Sequence, residues 1–292
     1  IMDDLLNQGL SLLFVIGSVY SLLGVLFIKI WLHQKNAKLP VDRKKLKRVA
    51  AQTLNEQVND KVLDVIGLVF LSALIVTMPF ALKGIAEMFA SGKLNYFLII
   101  VIALGLTYVA RKLWVKSNDL IKLKLGRDAE LAVASELIEL QSHGYQVFHD
   151  IQADGFNIDH LVVGPNGIFA IETKGRHKRI KDDTNYKVKF ENNHLAFPSW
   201  FESKPLEQAQ NQANWVNKWL YESTGFNTPV LPVLCFPGWF VELKQRPIFP
   251  IVSHKQIVKT ILSMRQVSLN QEQQRAICYQ VVQRALNDSK AI

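Results

Sequence analysis

Apolar residues fall into two patterns along the chain. Up to about position 115 they form three long uncharged runs, and beyond it they form short β-branched runs and helical stripes. Each long run approaches the roughly 20 apolar residues that a helix needs to cross a hydrocarbon core. The pattern therefore predicts three membrane spans, over about 9–30, 64–82 and 94–113, with Trp31, Tyr96 and Trp114 as interfacial anchors. Asp3 and Asp4 stand where a signal peptide has positive charge, so the first run reads as an uncleaved anchor. Between the first two runs, over about 42–60, Leu46, Val49, Ala50, Leu54 and Val58 recur at helical spacing among basic residues. That stretch predicts an amphipathic helix on an anionic lipid surface, or one whose lysines guide DNA along it.

From 126 to 140, Leu131, Ala134, Leu137 and Ile138 mark a helix that Gly144 closes. Strands follow over 145–151, 158–163 and 168–173, the last two joined through Gly164-Pro165-Asn166-Gly167. These two runs are almost continuously apolar, which predicts a hairpin covered on both faces. A second hairpin turns about Asn192-Asn193 (187–190 and 194–197), and a helix covers 205–220. A strand over 230–236, a weaker one over 240–243 and helices over 256–264 and 271–286 complete the chain. Alternating helices and strands of this kind predict an α/β domain with a mixed sheet over 116–292, after a membrane region over 1–115.

Charge refines this division. Residues 1–125 hold 16 Lys and Arg against 8 Asp and Glu, leaving 18 against 17 for the remainder, so the net charge of +9 sits mainly among the apolar runs. Such an excess is explained by membrane topology before nucleic-acid binding. Lys and Arg cluster between the first and second runs and after the third, whereas only Lys83 and Lys93 lie between the second and third. The expected arrangement is a multi-pass protein of a bacterial inner membrane, N-terminus outside and the α/β domain cytoplasmic, with the bilayer as partner. The two cysteines, Cys235 and Cys278, form no CxxC or Cys/His cluster, which argues against a zinc site or a disulfide framework. Apart from edge-placed Asp64 the runs lack charges away from their ends, so they read as anchors rather than as a channel.

The candidate chemistry lies in the α/β domain. Asp159 and Glu172 flank the Pro165-Asn166 turn, and a two-residue turn pairs residues whose numbers sum to 331, placing these carboxylates opposite each other. A bulge at Gly167 would shift the register by one. Lys174 lies on the same strand face as Glu172, because strand side chains alternate with period two. Two carboxylates beside a lysine suit a Mg²⁺ or Mn²⁺ ion that polarises a phosphoryl oxygen and acidifies a bound water. Glu130 would reach this site from the first helix of the domain, and Gln208 from a later one. Arg176, Lys178 and Arg179 follow at once and offer positive charge to a backbone phosphate, or form a solvated loop.

The segment from Asn157 to Lys174 resembles the core motif of the nuclease-related domain (NERD) family, within the PD-(D/E)xK nuclease superfamily. The resemblance covers about 124–240. It implies a restriction-endonuclease-like mixed sheet flanked by helices, with Glu130, Asp159, Glu172, Lys174 and Gln208 in the catalytic places. It also implies Mg²⁺ as cofactor, with Asp159, Glu172 and Glu130 as ligands, and DNA ahead of RNA as substrate. Ala129 departs from the family's pattern, in which a glycine often precedes the helix glutamate. The expected function is a membrane-anchored, metal-dependent nuclease. The alternative is a non-catalytic, membrane-tethered module of the same fold that binds DNA or protein. The oligomeric state is open, a homodimer being one option.

Overall fold

The computed structural model describes helical positions scattered between 17 and 32, and then residues 48–81, 96–178, 186–265 and 267–288. The chain divides into two compact units, one of residues 1–42 and 59–120, the other of 43–58 and 121–292.

In the first unit the described elements are helical. They belong to α1 (Gln52–Ala81) and α2 (Tyr96–Leu137), both of which continue into the second unit. Among the described residues no helix is long and apolar enough to cross a membrane. This corrects the expected three-span region, and with it the inner-membrane location and the inside–outside topology. The physical reason is length. Asp60, Lys61 and Asp64 leave only 65–81 of α1 uncharged, about 25 Å of helix, and Arg111 and Lys112 limit α2 to 96–110, about 22 Å. A hydrocarbon core is about 30 Å thick. The expected span over 9–30 lies largely outside the described residues. Asp64 is ion-paired with Lys116, and Lys61 with Asp119 at 3.6 Å.

Of the expected amphipathic helix over 42–60, residues 48–60 are described. Residues 48–51 lead in through a turn, the helix begins at Gln52 as the start of α1, and the Arg48 side chain, Ala51 and Val58 are buried.

The second unit is built on two mixed sheets flanked by helices, an architecture that fits a nuclease-like fold. After α2, a 3-10 turn (Ile138–His143) ends on Gly144, whose φ of 80° lets the chain reverse into β1 (Gln146–Gln152). β2 (Asn157–Gly164) and β3 (Gly167–Thr173) form the predicted hairpin, with Gly164 opposite Gly167 and His160 opposite Ile171. The two-residue turn thus has the register that sums to 331. Gly164 is required there, since a Cβ would stand 1.9 Å from the Tyr145 ring. β7 (Val230–Cys235) and β9 (Ile251–Val252) extend this sheet in parallel, giving the order β1-β2-β3-β7-β9.

The central hairpin is covered on both faces. Val162, Phe169 and Ile171 pack with Val133 and Leu137 of α2 and with Ile257 and Ile261 of α4 (His254–Ser263). On the other face Leu161, Val163, Ile168 and Ala170 pack with Ala213, Val216 and Leu220 of α3 (Lys204–Thr224), and with Ile277 and Val281 of α5 (Gln271–Asp288). Each such aliphatic side chain contributes about 1.5–3 kcal/mol on burial, so the strands that carry the carboxylates are firmly held.

The smaller sheet has the order β6-β5-β4-β8, from β4 (Lys187–Glu191), β5 (His194–Phe197), β6 (Trp200–Glu202) and β8 (Phe240–Leu243). Asn192 and Asn193 both have positive φ, 49° and 57°, which matches the strand twist in a tight hairpin. Its inner face, Val188, Phe190, Leu195 and Phe197, packs on Leu234, Phe236 and Trp239.

Candidate active site

Continuing the β2–β3 register one step past His160 and Ile171 sets Asp159 beside Glu172 at the end of the sheet away from the turn. The Thr173 backbone N–H donates to Asp159 Oδ2 at 2.7 Å, which fixes that carboxylate against the neighbouring strand. Lys174 donates its backbone N–H to the Cys235 carbonyl at 2.9 Å, so β7 holds the strand end in line. Its ammonium forms an ion pair with Glu172 Oε1, as the shared strand face predicts. Glu172 is 1% exposed at its side chain and Lys174 21%, so the lysine is the part of the pair that solvent, and a substrate, reaches.

Glu130 comes from α2 and is buried. The chain beyond Lys174 presses on that helix at Gly175, where a Cβ would lie 2.8 Å from the Leu125 carbonyl and 3.1 Å from the Ala129 methyl. Because the glycine sits on the strand side of this contact, Ala129 is accommodated next to Glu130.

The electrostatics follow from this crowding. Burial pushes Glu130 up to about 8, the Asp150 and Glu172 charges adding to the shift and Lys174 opposing it. Asp159 is raised well above the carboxylate range, by burial first and then by Glu172 and Glu130, against the Thr173 hydrogen bond and Lys174. Burial also raises Glu172, opposed mainly by Lys174 and then by Gln212. Burial, with neighbouring carboxylates added for Glu130 and Asp159, thus pushes all three towards the protonated form, a strain that a cation relieves.

Two contributors were not visible in the sequence reading. The first is Gln212, whose Nε2 donates to Glu172 Oε2 and to the Asn157 carbonyl, the latter at 3.1 Å. Gln208, the expected residue, lies half-buried one turn earlier on α3. Glutamines four apart share a helix face, so the sequence marks the face but not the turn. The second is Asp150. The β1–β2 register, His149 opposite His160 and Ile151 opposite Ile158, brings Asp150 beside Asp159. Its φ of 52° is unusual for a strand aspartate. Asp150 is saturated: Arg48 approaches Oδ2 with Nε at 3.1 Å and Nη2 at 2.7 Å, Thr53 N and Oγ1 at 2.8 and 2.9 Å, and Asn157 donates to Oδ1 at 2.9 Å.

Of the expected phosphate-binding residues, Arg176 is committed elsewhere. Its guanidinium forms a two-armed ion pair with Glu202, at 2.9 and 2.8 Å, that ties the end of β3 to β6. Lys178 lies 5.5 Å from the centre of the Trp239 ring, and Arg179 lies outside the described residues.

Among the described residues no group of three or more His, Cys, Asp and Glu side chains is arranged to hold a metal ion. Magnesium needs only one or two carboxylates because it keeps several waters. Asp159 and Glu172 meet that requirement with hard oxygen donors, and Gln212 Oε1 beside them is buried without a hydrogen-bond partner. The residues present therefore fit the ion.

A pH prediction follows. A carboxylate whose folded pKa is raised favours folding fully below its unfolded value, and that contribution is lost as pH rises through the folded value. In EDTA, thermal stability should fall as pH rises from about 4.5 towards about 8, the range set by Glu130. Glu130→Gln should flatten much of that slope. Unchanged slopes in differential scanning fluorimetry of the variant would refute the assignment of Glu130 as a strained acid.

Neither curated proteins nor solved structures give a match to the chain. The stretch that holds α2's last turns, the central hairpin, α3 and β7, residues 125–237, matches the model of the nuclease-related domain (NERD).

Proposed function

We propose that the chain is a divalent-metal-dependent nuclease that hydrolyses phosphodiester bonds, with DNA ahead of RNA as substrate. The observation that carries this reading is the buried Glu130 and Glu172 with half-buried Asp159 beside them, and Lys174, partly exposed, ion-paired to Glu172. A protein that only binds nucleic acid gains nothing from burying carboxylates that repel one another and the phosphates.

Asp159 and Glu172 would hold Mg²⁺ or Mn²⁺, with Glu130 as a further ligand or as support for a metal-bound water. When bound, such an ion polarises the phosphoryl oxygen and lowers the pKa of water. Gln212 fixes one oxygen of Glu172 and Lys174 the other, so the carboxylate is oriented before substrate arrives. The Thr173 N–H does the same for Asp159. Once a phosphate displaces its ion pair, the Lys174 ammonium meets the negative charge that grows on the phosphoryl oxygens.

The test uses the full chain with supercoiled plasmid, linear duplex and RNA, in Mg²⁺, Mn²⁺ or EDTA. Cleavage should require the metal, and Asp159→Asn should weaken Mg²⁺ binding, followed calorimetrically, while leaving the metal-free melting temperature close to wild type. Equal cleavage by wild type and Asp159→Asn would overturn the reading.

A further inference from the structure

The smaller sheet has an outer face that, among the described residues, no core of the second unit uses. Since Val188, Phe190, Leu195 and Phe197 point inward, the alternate positions point out. The register sets Phe201 beside Ala196, Ala196 beside Lys189, and Lys189 beside Glu242, one row across all four strands. The next row pairs Lys187 with Phe240. The aromatic rings in these rows are not packed away: Phe201 is 69% exposed and Phe240 50%, and Tyr186, edge-on to Phe240, is 43% exposed.

Exposed phenyl rings on a rigid sheet cost solubility, and here cations are interleaved with them. The Lys187 ammonium lies 5.7 Å from the centres of both the Tyr186 and the Phe240 rings. Lys187, Lys189 and Lys244 together hold the Glu242 carboxylate below its usual range, with Lys244 hydrogen-bonded to it. Glu191 also acts on Lys244. Three lysines against two glutamates leave the face positive. Strands are about 4.8 Å apart, so Lys189 lies about 10 Å from Phe201 across the sheet, which separates a stacking surface from a cation.

We propose that this face binds single-stranded nucleic acid, with Phe201 and Phe240 stacking on bases and Lys187 and Lys189 pairing with backbone phosphates. Positive charge alone would suit a duplex equally. Flat exposed rings select unpaired bases, because duplex bases are stacked on one another and offer no face. The face is tied to the catalytic strand through β6, where Glu202, the neighbour of Phe201, grips Arg176 two residues beyond Lys174. A strand held there stays tethered to the enzyme during cleavage. The identity of the ligand rests on the nuclease reading, and the test separates the two.

The test measures fluorescence anisotropy of labelled oligo(dT), oligo(U) and a blunt duplex of equal length, with the full chain carrying Glu172→Ala so that nothing is cut. Single strands should bind tighter than the duplex. Phe201→Ala and Phe240→Ala should each weaken single-strand binding about tenfold, the usual loss for one stacked base. Lys187→Gln with Lys189→Gln should reduce the salt dependence of binding. Both rings are largely exposed, so circular dichroism should show unchanged folding. Single-strand binding indifferent to Phe201→Ala and Phe240→Ala would overturn the inference, and wild-type cleavage would then leave the nuclease reading standing. Ring-dependent binding by a wild-type chain that never cleaves would support the inference and remove the nuclease reading.

Discussion

Glu172→Ala and Lys174→Ala should each lower DNA cleavage by about 10²-fold or more, the usual cost of deleting one electrostatic group at a reacting centre. Glu172 is the junction of the site. One of its oxygens pairs with Lys174, the other accepts from Gln212, and its charge raises both Asp159 and Glu130. Removing it frees both Lys174 and Gln212 at once, so its loss should exceed that of Lys174→Ala. Folding should survive in both variants, since the first relieves carboxylate crowding and the second removes a partly exposed chain. Gln212→Ala should have an intermediate effect through the orientation of Glu172, larger than that of Gln208→Ala. Single-turnover rates on plasmid, with urea unfolding as control, check this series. Wild-type rates in Glu172→Ala would assign the cutting to another site.

The hairpin that carries this chemistry was legible because every signal agreed. Two apolar β-branched runs bracket Pro165-Asn166, and the turn length alone fixes that Asp159 faces Glu172. Glu-x-Lys on one strand needed only period two. What failed to show was contact between segments distant in sequence. Nothing local says that β1 pairs with β2 so as to bring Asp150 beside Asp159, nor that Arg48 crosses 102 positions to reach it. A basic residue among helical hydrophobics reads the same whether it meets lipid, solvent or a buried carboxylate. The apolar runs misled for a related reason. Hydropathy counts residues, whereas a span needs uninterrupted length, and the charges at 60–64 and 111–112 shorten the apolar stretch of both described helices. The small strands β6 and β9, of three and two residues, leave too short a pattern to register any periodicity.

Arg48→Ala should destabilise the protein by about 3–5 kcal/mol, the cost of removing one partner from a buried ion pair. The Arg48 and Asp150 side chains are 7% and 3% exposed, so water cannot replace the guanidinium. Thr53 and Asn157 still donate to Asp150 but bring no positive charge. The stranded carboxylate lies where Glu130 already feels it, so the penalty falls on the carboxylate end of the sheet. Adding Asp150→Asn to Arg48→Ala should recover part of the loss by removing the unpaired charge, a result that simple loss of packing would not give. The same contact sets the boundary of the domain. A fragment cut at 117 retains the whole family match but discards Arg48 and Thr53, and should fold poorly or not at all. Chemical denaturation of the full chain and its variants measures the first effect, and amide-exchange protection of β1 in the fragment measures the second. A cost below about 1 kcal/mol for Arg48→Ala, the range of an exposed pair, would show that the clamp does not hold residues 48–58 in the second unit.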